Sequence, residues 1–321
     1  MRRFWKKSLL LGALLVFALS GLAVAEDYPT RPIEVIVGWG AGGGTDTFAR
    51  AITKPASEIL GKPMPVKNMQ GASGAIAGDY VTQQPADGYT LWAMGSNYAV
   101  NLALGRTPHI LDEYIPIARI QQDTAMIQVQ GNSRFKTIDD LIAYAKENPN
   151  KLKLAGAGAA SFDQVVVSLW ENAAGIKVNY IPYENSGSMH SALLGGHVDA
   201  MFEEMGPVAG LVENGQLRPL LVFSETKIPS MPQVATAVEK GWNITLGNWR
   251  GIVVAKGTPQ PIVDKLRAAF AKAKDDPGYK KFEADRYLNL RPGFMDSEQF
   301  RQSIEENASA YKKALKMAGQ I

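Results

Sequence analysis

Three observations predict an α/β fold in two domains. Short apolar, β-branched runs alternate with helical patterns along most of the chain. Gly/Ser-rich turns stand before helices near residues 40, 72, 160 and 187, two in each half. In open α/β sheets such turns lie at the carboxyl ends of strands, where ligands bind. Beyond an N-terminal leader, the length suits two domains large enough for packed cores.

The leader comes first. Arg2, Arg3, Lys6 and Lys7 form a basic segment, Ser8 to Leu22 an apolar one, and Ala23-Val24-Ala25 a small-residue cleavage site. Residues 1–25 therefore read as a secretory signal peptide, with the mature chain starting at Glu26. Its removal takes four positive charges from a 321-residue chain of formal charge +3, which leaves the mature protein near neutrality. Such a balance gives no reason to expect a nucleic-acid partner. The absence of cysteine excludes disulfides, thiol nucleophiles, cysteine metal sites and a lipoprotein anchor.

Ile33 to Val37 reads as a buried strand, followed by five glycines between Gly38 and Gly44. A helix is expected from Thr45 to Leu60, with Thr45 as N-cap, Asp46 in the first turn and a kink at Pro55. Strand, glycine loop and helix start together make an anion site, because backbone N–H groups and the helix dipole face the same point. Gly38, Gly40 and Gly43 also match a dinucleotide fingerprint. The next strand, Met64 to Asn68, ends in Lys67 and Asn68 rather than the acidic residue that would hold a ribose. A triphosphate loop would need a lysine after Gly44, where Thr45 stands. A carboxylate site remains, alongside a plain strand-to-helix turn. No cofactor is expected.

The pattern then repeats. Gly71-Ala72-Ser73-Gly74 turns into a helix from Ala75 to Gln84. Tyr89 to Met94 is a strand, with a helix start at Ser96-Asn97, and Ile115 to Gln130 reads as extended. Helices are expected at Leu141 to Glu147, Phe162 to Ala174 and Met189 to Leu194, and strands at Leu152 to Ala155, Val178 to Pro182, Val198 to Phe202, Leu217 to Phe223 and Trp249 to Ala255. Two amphipathic helices, Pro261 to Lys274 and Ser297 to Ala318, close the chain.

Catalytic parts are scarce. His109, His190 and His197 lack metal-ligand spacing, so no metal is expected. Gly71 to Ala75 approaches a nucleophile elbow without an identifiable base. Glu203 and Glu204, adjacent in an extended segment, are expected to point apart. A binder is favoured over an enzyme.

Motif order adds a resemblance. Tyr28-Pro29-Thr30-Arg31-Pro32-Ile33, Gly42-Gly43-Gly44-Thr45-Asp46, Leu60-Gly61-Lys62-Pro63, Gly71-Ala72-Ser73-Gly74, Pro85-Ala86-Asp87-Gly88-Tyr89, Ile181-Pro182-Tyr183, Gly195-Gly196-His197-Val198-Asp199 and Gly257-Thr258-Pro259 follow one another over nearly the whole mature chain. In this it resembles the substrate-binding proteins of tripartite tricarboxylate transporters, the Bug family. The resemblance implies a type II periplasmic binding protein, two α/β domains joined by two crossover strands around a ligand cleft. The resemblance further implies a periplasmic receptor for a small organic carboxylate, above all a di- or tricarboxylate, which is delivered to the permease subunits of such a transporter. The long extended segments Ile115 to Gln130 and Trp249 to Ala255 set the expected domain crossings, with residues 26–122 and 250–321 as domain one and 123–249 as domain two. The alternatives are an exported α/β enzyme using a nucleotide or serine nucleophile, and a ligand-sensing subunit of a signalling system.

The resemblance places the ligand among Trp39, Gly40, Ala41, Gly43, Thr45, Ser73, Ser96, Asn97, Ser161, Phe162, Asn185 and Ser186, and Arg250, at a position that departs from the common pattern, is a further candidate on its own chemistry. Several have a second reading. Trp39 either walls the ligand or covers the core, and Phe162 is otherwise core. Ser73, Ser161 and Ser186 either donate to a carboxylate or cap helices. Arg250 either clamps a second carboxylate or forms a salt bridge at the hinge. Glu184 and Glu204, if near the cleft, favour a ligand carrying a donor or cation.

Overall fold

The computed structural model describes residues 28–317. The leader and its cleavage site near Ala25 lie outside them. The described chain folds into two α/β domains, each built on one mixed sheet.

The first sheet has the order β2-β1-β3-β11-β4. Strands β1 (Glu34–Val37), β2 (Val66–Asn68) and β3 (Thr90–Gly95) run parallel. Strand β11 (Trp249–Ala255) lies antiparallel between β3 and β4 (Tyr114–Gln122). Val35, Ile36 and Val37 are fully buried, as expected of a parallel strand covered on both faces. Helix α1 (Gly44–Leu60) follows β1, and α2 (Ala75–Thr82) and α3 (Asn97–Leu104) flank β3 in the chain. Helix α1 starts one residue before the expected position and is continuous across Pro55.

The second sheet has the order β10-β9-β5-β8-β6-β7. It comprises β5 (Ala125–Gln130), β6 (Lys153–Ala157), β7 (Asn179–Tyr183), β8 (Ala200–Glu204), β9 (Leu217–Val222) and β10 (Ala235–Thr236). Helices α4 (Ile138–Glu147), α5 (Phe162–Ala174), α6 (Ser186–Leu194) and α7 (Met205–Glu213) connect them. The extended run from Ile115 to Gln130 is two strands, one in each sheet, divided at Asp123-Thr124. Helix α7 is absent from the sequence reading. It leaves β8 with no turn residues between them, so no punctuation in the sequence marks its start.

The chain thus passes from the first sheet to the second at Asp123-Thr124 and returns before Trp249. The two passages touch: the Asp123 N–H donates to the Asn248 carbonyl at 2.8 Å. Helices α8 (Gln260–Ala273), α9 (Pro277–Asp285) and α10 (Ser297–Met317) complete the chain. The sequence reading omits α9, whose Pro277-Gly278 start resembles a turn; here Pro277 sits at the N-terminus, where its missing N–H costs nothing. Helix α10 lies on α3 and β4, and its Tyr311 ring meets Phe162 of the second domain at 6.0 Å. One apolar core therefore runs from Trp92 and Trp249 to Phe162 and Phe202.

Candidate functional site

The glycine loop after β1 forms one wall of a cleft between the sheets. Gly43, not Thr45, is the N-cap of α1; it holds the extended backbone a cap requires, at φ −73° and ψ 169°. Thr45 is instead buried in the first turn, and its hydroxyl accepts from Arg250 Nε at 3.2 Å. Asp46 ties the loop down: its carboxylate accepts the Gly42 N–H at 2.9 Å and is held by Arg50 and Asn68. The first-turn N–H groups of α1 have no intrahelical acceptor and lie at the positive end of the dipole. The glycines also admit the opposite wall. A Cβ on Gly40 would stand 2.8 Å from the Asn185 Cβ, and one on Gly43 would stand 3.2 Å from the Ser186 Oγ.

The opposite wall comes from the second sheet. Asn185 caps α6 by accepting the Ser188 N–H at 2.8 Å, and Ser186 opens that helix. Asp163, in the first turn of α5, accepts the Ala157 N–H at 2.8 Å and is 4% exposed. Glu203 and Glu204 end β8 and do not point apart as expected. Glu203 curls back so that its Oε1 accepts the Glu204 N–H at 3.1 Å, and both carboxylates line the same cavity.

Arg250 joins the walls. Its guanidinium is 2% exposed, is ion-paired to Asp123, and lies 3.3 Å from Glu204. Glu204 also accepts from the Asn248 amide. Burial opposes the charge on Arg250, but Asp123 and Glu204 more than offset it and keep the guanidinium ionised. Burial likewise raises Asp123, to about 6, against the pull of Arg250. Glu204 ends below the usual carboxylate range: Arg250 overcomes its burial. Asp163 and Glu203 are driven well up, first by burial and then by the charge of Glu204. Half-buried His190 lies 3.1 Å from Glu203, with its own basicity lowered by desolvation.

These groups enclose a cavity of about 30 Å³. Of the residues expected at the ligand, Trp39, Gly40, Gly43, Thr45, Asn97, Asn185, Ser186 and Arg250 line it. The others lie outside its lining. Ala41 is exposed in the loop. Ser73 donates to the Ala159 carbonyl at 3.0 Å, which links the domains. Ser96 accepts the Trp249 N–H at 2.8 Å. Ser161 caps α5, and Phe162 is fully buried against Phe202 and Tyr311. Gly44, Ala157, Asp163, Glu203 and Asn248 line the cavity without having been singled out as ligand contacts. Gly44 carried a signal in the glycine run, whereas Asn248 carried none. A wider groove of about 730 Å³ beside Lys136 and Arg218 lies away from the four Gly/Ser turns. Among the described residues, no three His, Asp or Glu side chains converge as metal ligands, and no helix is long and apolar enough to cross a membrane.

Known proteins share this architecture. The Tripartite tricarboxylate transporter family receptor description matches residues 48–319. The UPF0065 protein in gbd 5'region of Cupriavidus necator is 32% identical over 96% of this chain and 93% of its own length. MatC (Rpa3494) of Rhodopseudomonas palustris, solved with bound malate, superimposes with a TM-score of 0.82 at 25% identity, over 90% of this chain and 100% of that one. Rpa4515 of R. palustris, solved with adipate, gives 0.81 at 25% identity, over 91% and 99%. A family match over most of the length, one relative aligned nearly end to end and the shared two-domain architecture lead to one conclusion: the chain belongs to the tripartite tricarboxylate transporter receptor family.

Proposed function

We propose that this receptor captures a small organic carboxylate in the periplasm and delivers it to the permease subunits of a tripartite tricarboxylate-type transporter. One observation carries the reading: the first turns of α1 and α6 face one cavity across the domain boundary, where helix starts offer backbone N–H groups to an anion. The domains close on the ligand as two lobes, residues 26–122 with 250–321 and residues 123–249, after cleavage of the leader near Ala25. Malate in MatC and adipate in Rpa4515 support a carboxylate, and extend the reading to the di- and tricarboxylate class. Binding rather than catalysis is favoured because Ser73, in the elbow-like segment, spends its hydroxyl on Ala159.

A thermal-shift screen of the purified protein against mono-, di- and tricarboxylic acids tests this. A ligand at 100 times its dissociation constant adds about 2.7 kcal/mol to stability. A flat response to every carboxylate, with a positive response to neutral sugars, would remove the carboxylate reading.

A further inference from the structure

The four Gly/Ser turns do not share one task. The turns before α1 and α6 face the cavity, whereas those before α2 and α5 face each other across the domain boundary. At the start of α5 the donors are spent on the protein. The Gln164 N–H is capped by Ser161 Oγ at 3.4 Å. The buried Phe162 N–H donates to Asn97 Oδ1 at 2.8 Å, and Asn97 opens α3 in the other domain. A first-turn N–H has no acceptor inside its own helix. The Phe162 amide is therefore satisfied within the protein only while the two domains are together.

A second bond lies beside it. Ser73 Oγ donates to the Ala159 carbonyl at 3.0 Å, again from one domain to the other. Each of the two loops is fixed within its own domain. The Gly158 N–H donates to the Tyr183 carbonyl at 2.9 Å, and the Ala160 N–H donates to Gln164 Oε1 at 2.6 Å. On the facing side the Asn101 amide holds the Ser73 carbonyl at 3.3 Å. Both loops also carry backbone strain. Ala72, Ser73 and Ala160 adopt φ of +48°, +50° and +45°, a left-handed conformation that opposes an L side chain. Asn150 and Tyr287 are the other non-glycine residues at positive φ among the described residues. Such strain persists where the surroundings impose it, and it gathers at clamps and switches. Gly158 lets the loops meet, since a Cβ there would stand 3.0 Å from the Trp39 ring and 3.1 Å from Ser73 Oγ. Ser73, Ala159 and Phe162 lie outside the cavity lining, so these contacts do not pass through a ligand.

We propose that Ser73 and Asn97 form a latch that closes the cleft in the absence of ligand, by docking the Gly71–Gly74 loop on the Gly158–Phe162 start of α5. A ligand then meets a protein whose domains already adopt the closed form, and its apparent affinity scales with how often they do. This goes beyond the carboxylate reading and rests on its two-lobe part alone.

Hydrogen exchange of single amides, followed by NMR on ligand-free protein recovered from denaturant by dialysis, tests it. The Phe162 amide should exchange about tenfold or more slowly than an unstructured amide, although no ligand is present. Ser73→Ala touches neither that amide nor the cavity lining. It should raise the Phe162 exchange rate about threefold, as expected for the loss of one net hydrogen bond. Asn97→Leu should raise it about tenfold or more, since the acceptor itself is gone. The Val166 amide, inside α5, should hold within about twofold in both variants and serves as the control. Weaker protection of Phe162 in the wild type, or unchanged protection in Ser73→Ala, overturns the latch and leaves the carboxylate receptor standing. Acceleration shared by Val166 would mean that α5 frays while the domains stay together, and it overturns the latch as well. A negative carboxylate screen leaves these outcomes untouched, because no ligand takes part in them.

Discussion

The two walls of the cleft recognise in different chemical terms. The wall built by the β1–α1 loop offers backbone: glycines, first-turn amides and the hydroxyl of Thr45. The wall built by α5, β8 and the start of α6 offers side chains, among them the buried carboxylates of Asp163, Glu203 and Glu204. The first has fixed dipoles that suit an anion and change little with pH. The second has titratable groups whose charge depends on their neighbours. Arg250 ties the walls together: its Nε donates to Thr45 while its Nη atoms face Asp123 and Glu204. One cleft therefore sets fixed backbone dipoles against titratable side chains, and each wall is open to attack by substitution.

The largest effect is expected from Arg250→Ala. Removing the guanidinium leaves Asp123 and Glu204 buried without a cation, a change that typically costs about 3–5 kcal/mol. Urea unfolding should show a lower midpoint with an unchanged slope. A loss below about 1 kcal/mol, the range of exposed ion pairs, would mean that water reaches the network and that the acidic wall is less enclosed than its burial indicates.

Gly44→Ala attacks the same joint from the first wall. A Cβ there would collide with the Arg250 guanidinium. Overpacking of this kind costs about 1–3 kcal/mol, and here it also displaces the cation from Thr45. Gly42→Ala is the informative contrast. No atom lies within 4 Å of a Cβ on Gly42, but its φ of +82° is strained for an L side chain. Unfolding of the two variants, with the Thr45→Val variant as background, separates collision from backbone strain.

The same contrast explains how much of the molecule the sequence makes legible. The backbone wall is local. Its strand, glycines and helix start are contiguous from Ile33 to Ala51, and so the site could be placed on them before any coordinates. The acidic groups come from three places far apart in sequence: Asp123 in the connection between β4 and β5, Asp163 on α5, and Glu203 with Glu204 at the end of β8. No spacing rule joins them, because the second sheet brings β8 beside β5 and β6 only through long-range pairing. The one adjacent pair was misjudged: strand alternation holds for a regular strand, whereas Glu204 is also the N-cap position of α7 and Glu203 folds back to its amide. The serines divide for a related reason. A hydroxyl next to a helix start can face the cleft, as Ser186 does, or serve its own backbone, as Ser161 does. Sequence gives both the same signature.

The acidic wall should also reveal itself through pH. Asp163 and Glu203 hold their protons in the folded protein well above the ordinary carboxyl range. In the unfolded chain they ionise near pH 4. As pH rises past that point the unfolded state releases protons that the folded state keeps, so stability falls. Each such carboxyl contributes a slope of somewhat more than ~1 kcal/mol per pH unit, until the folded group also ionises. Asp163→Asn retains an acceptor for the Ala157 N–H and removes the titration. Its melting temperature should rise relative to wild type above about pH 4, and the gap should widen with pH until the folded Asp163 ionises. A constant gap would show that Asp163 is already ionised in the fold.

The smallest expected effect lies where the walls meet. Asn185 faces Gly40 across the cleft and caps α6 through the Ser188 N–H. Asn185→Ala should cost about 1 kcal/mol through the lost cap. Asn185→Asp keeps the capping oxygen and adds a negative charge at a helix N-terminus, which by itself stabilises the helix. The two substitutions therefore separate structure from recognition. If α6 serves only as scaffold, the Asp variant should be at least as stable as wild type and should bind carboxylates unchanged. If the α6 first turn receives the ligand carboxylate, the Asp variant should be stable yet bind about tenfold or more weakly, since the new charge competes for the same amides and repels the anion. Thermal melting with calorimetry on the two proteins distinguishes these outcomes. A stable Asp variant with full affinity would assign the carboxylate to α1 alone.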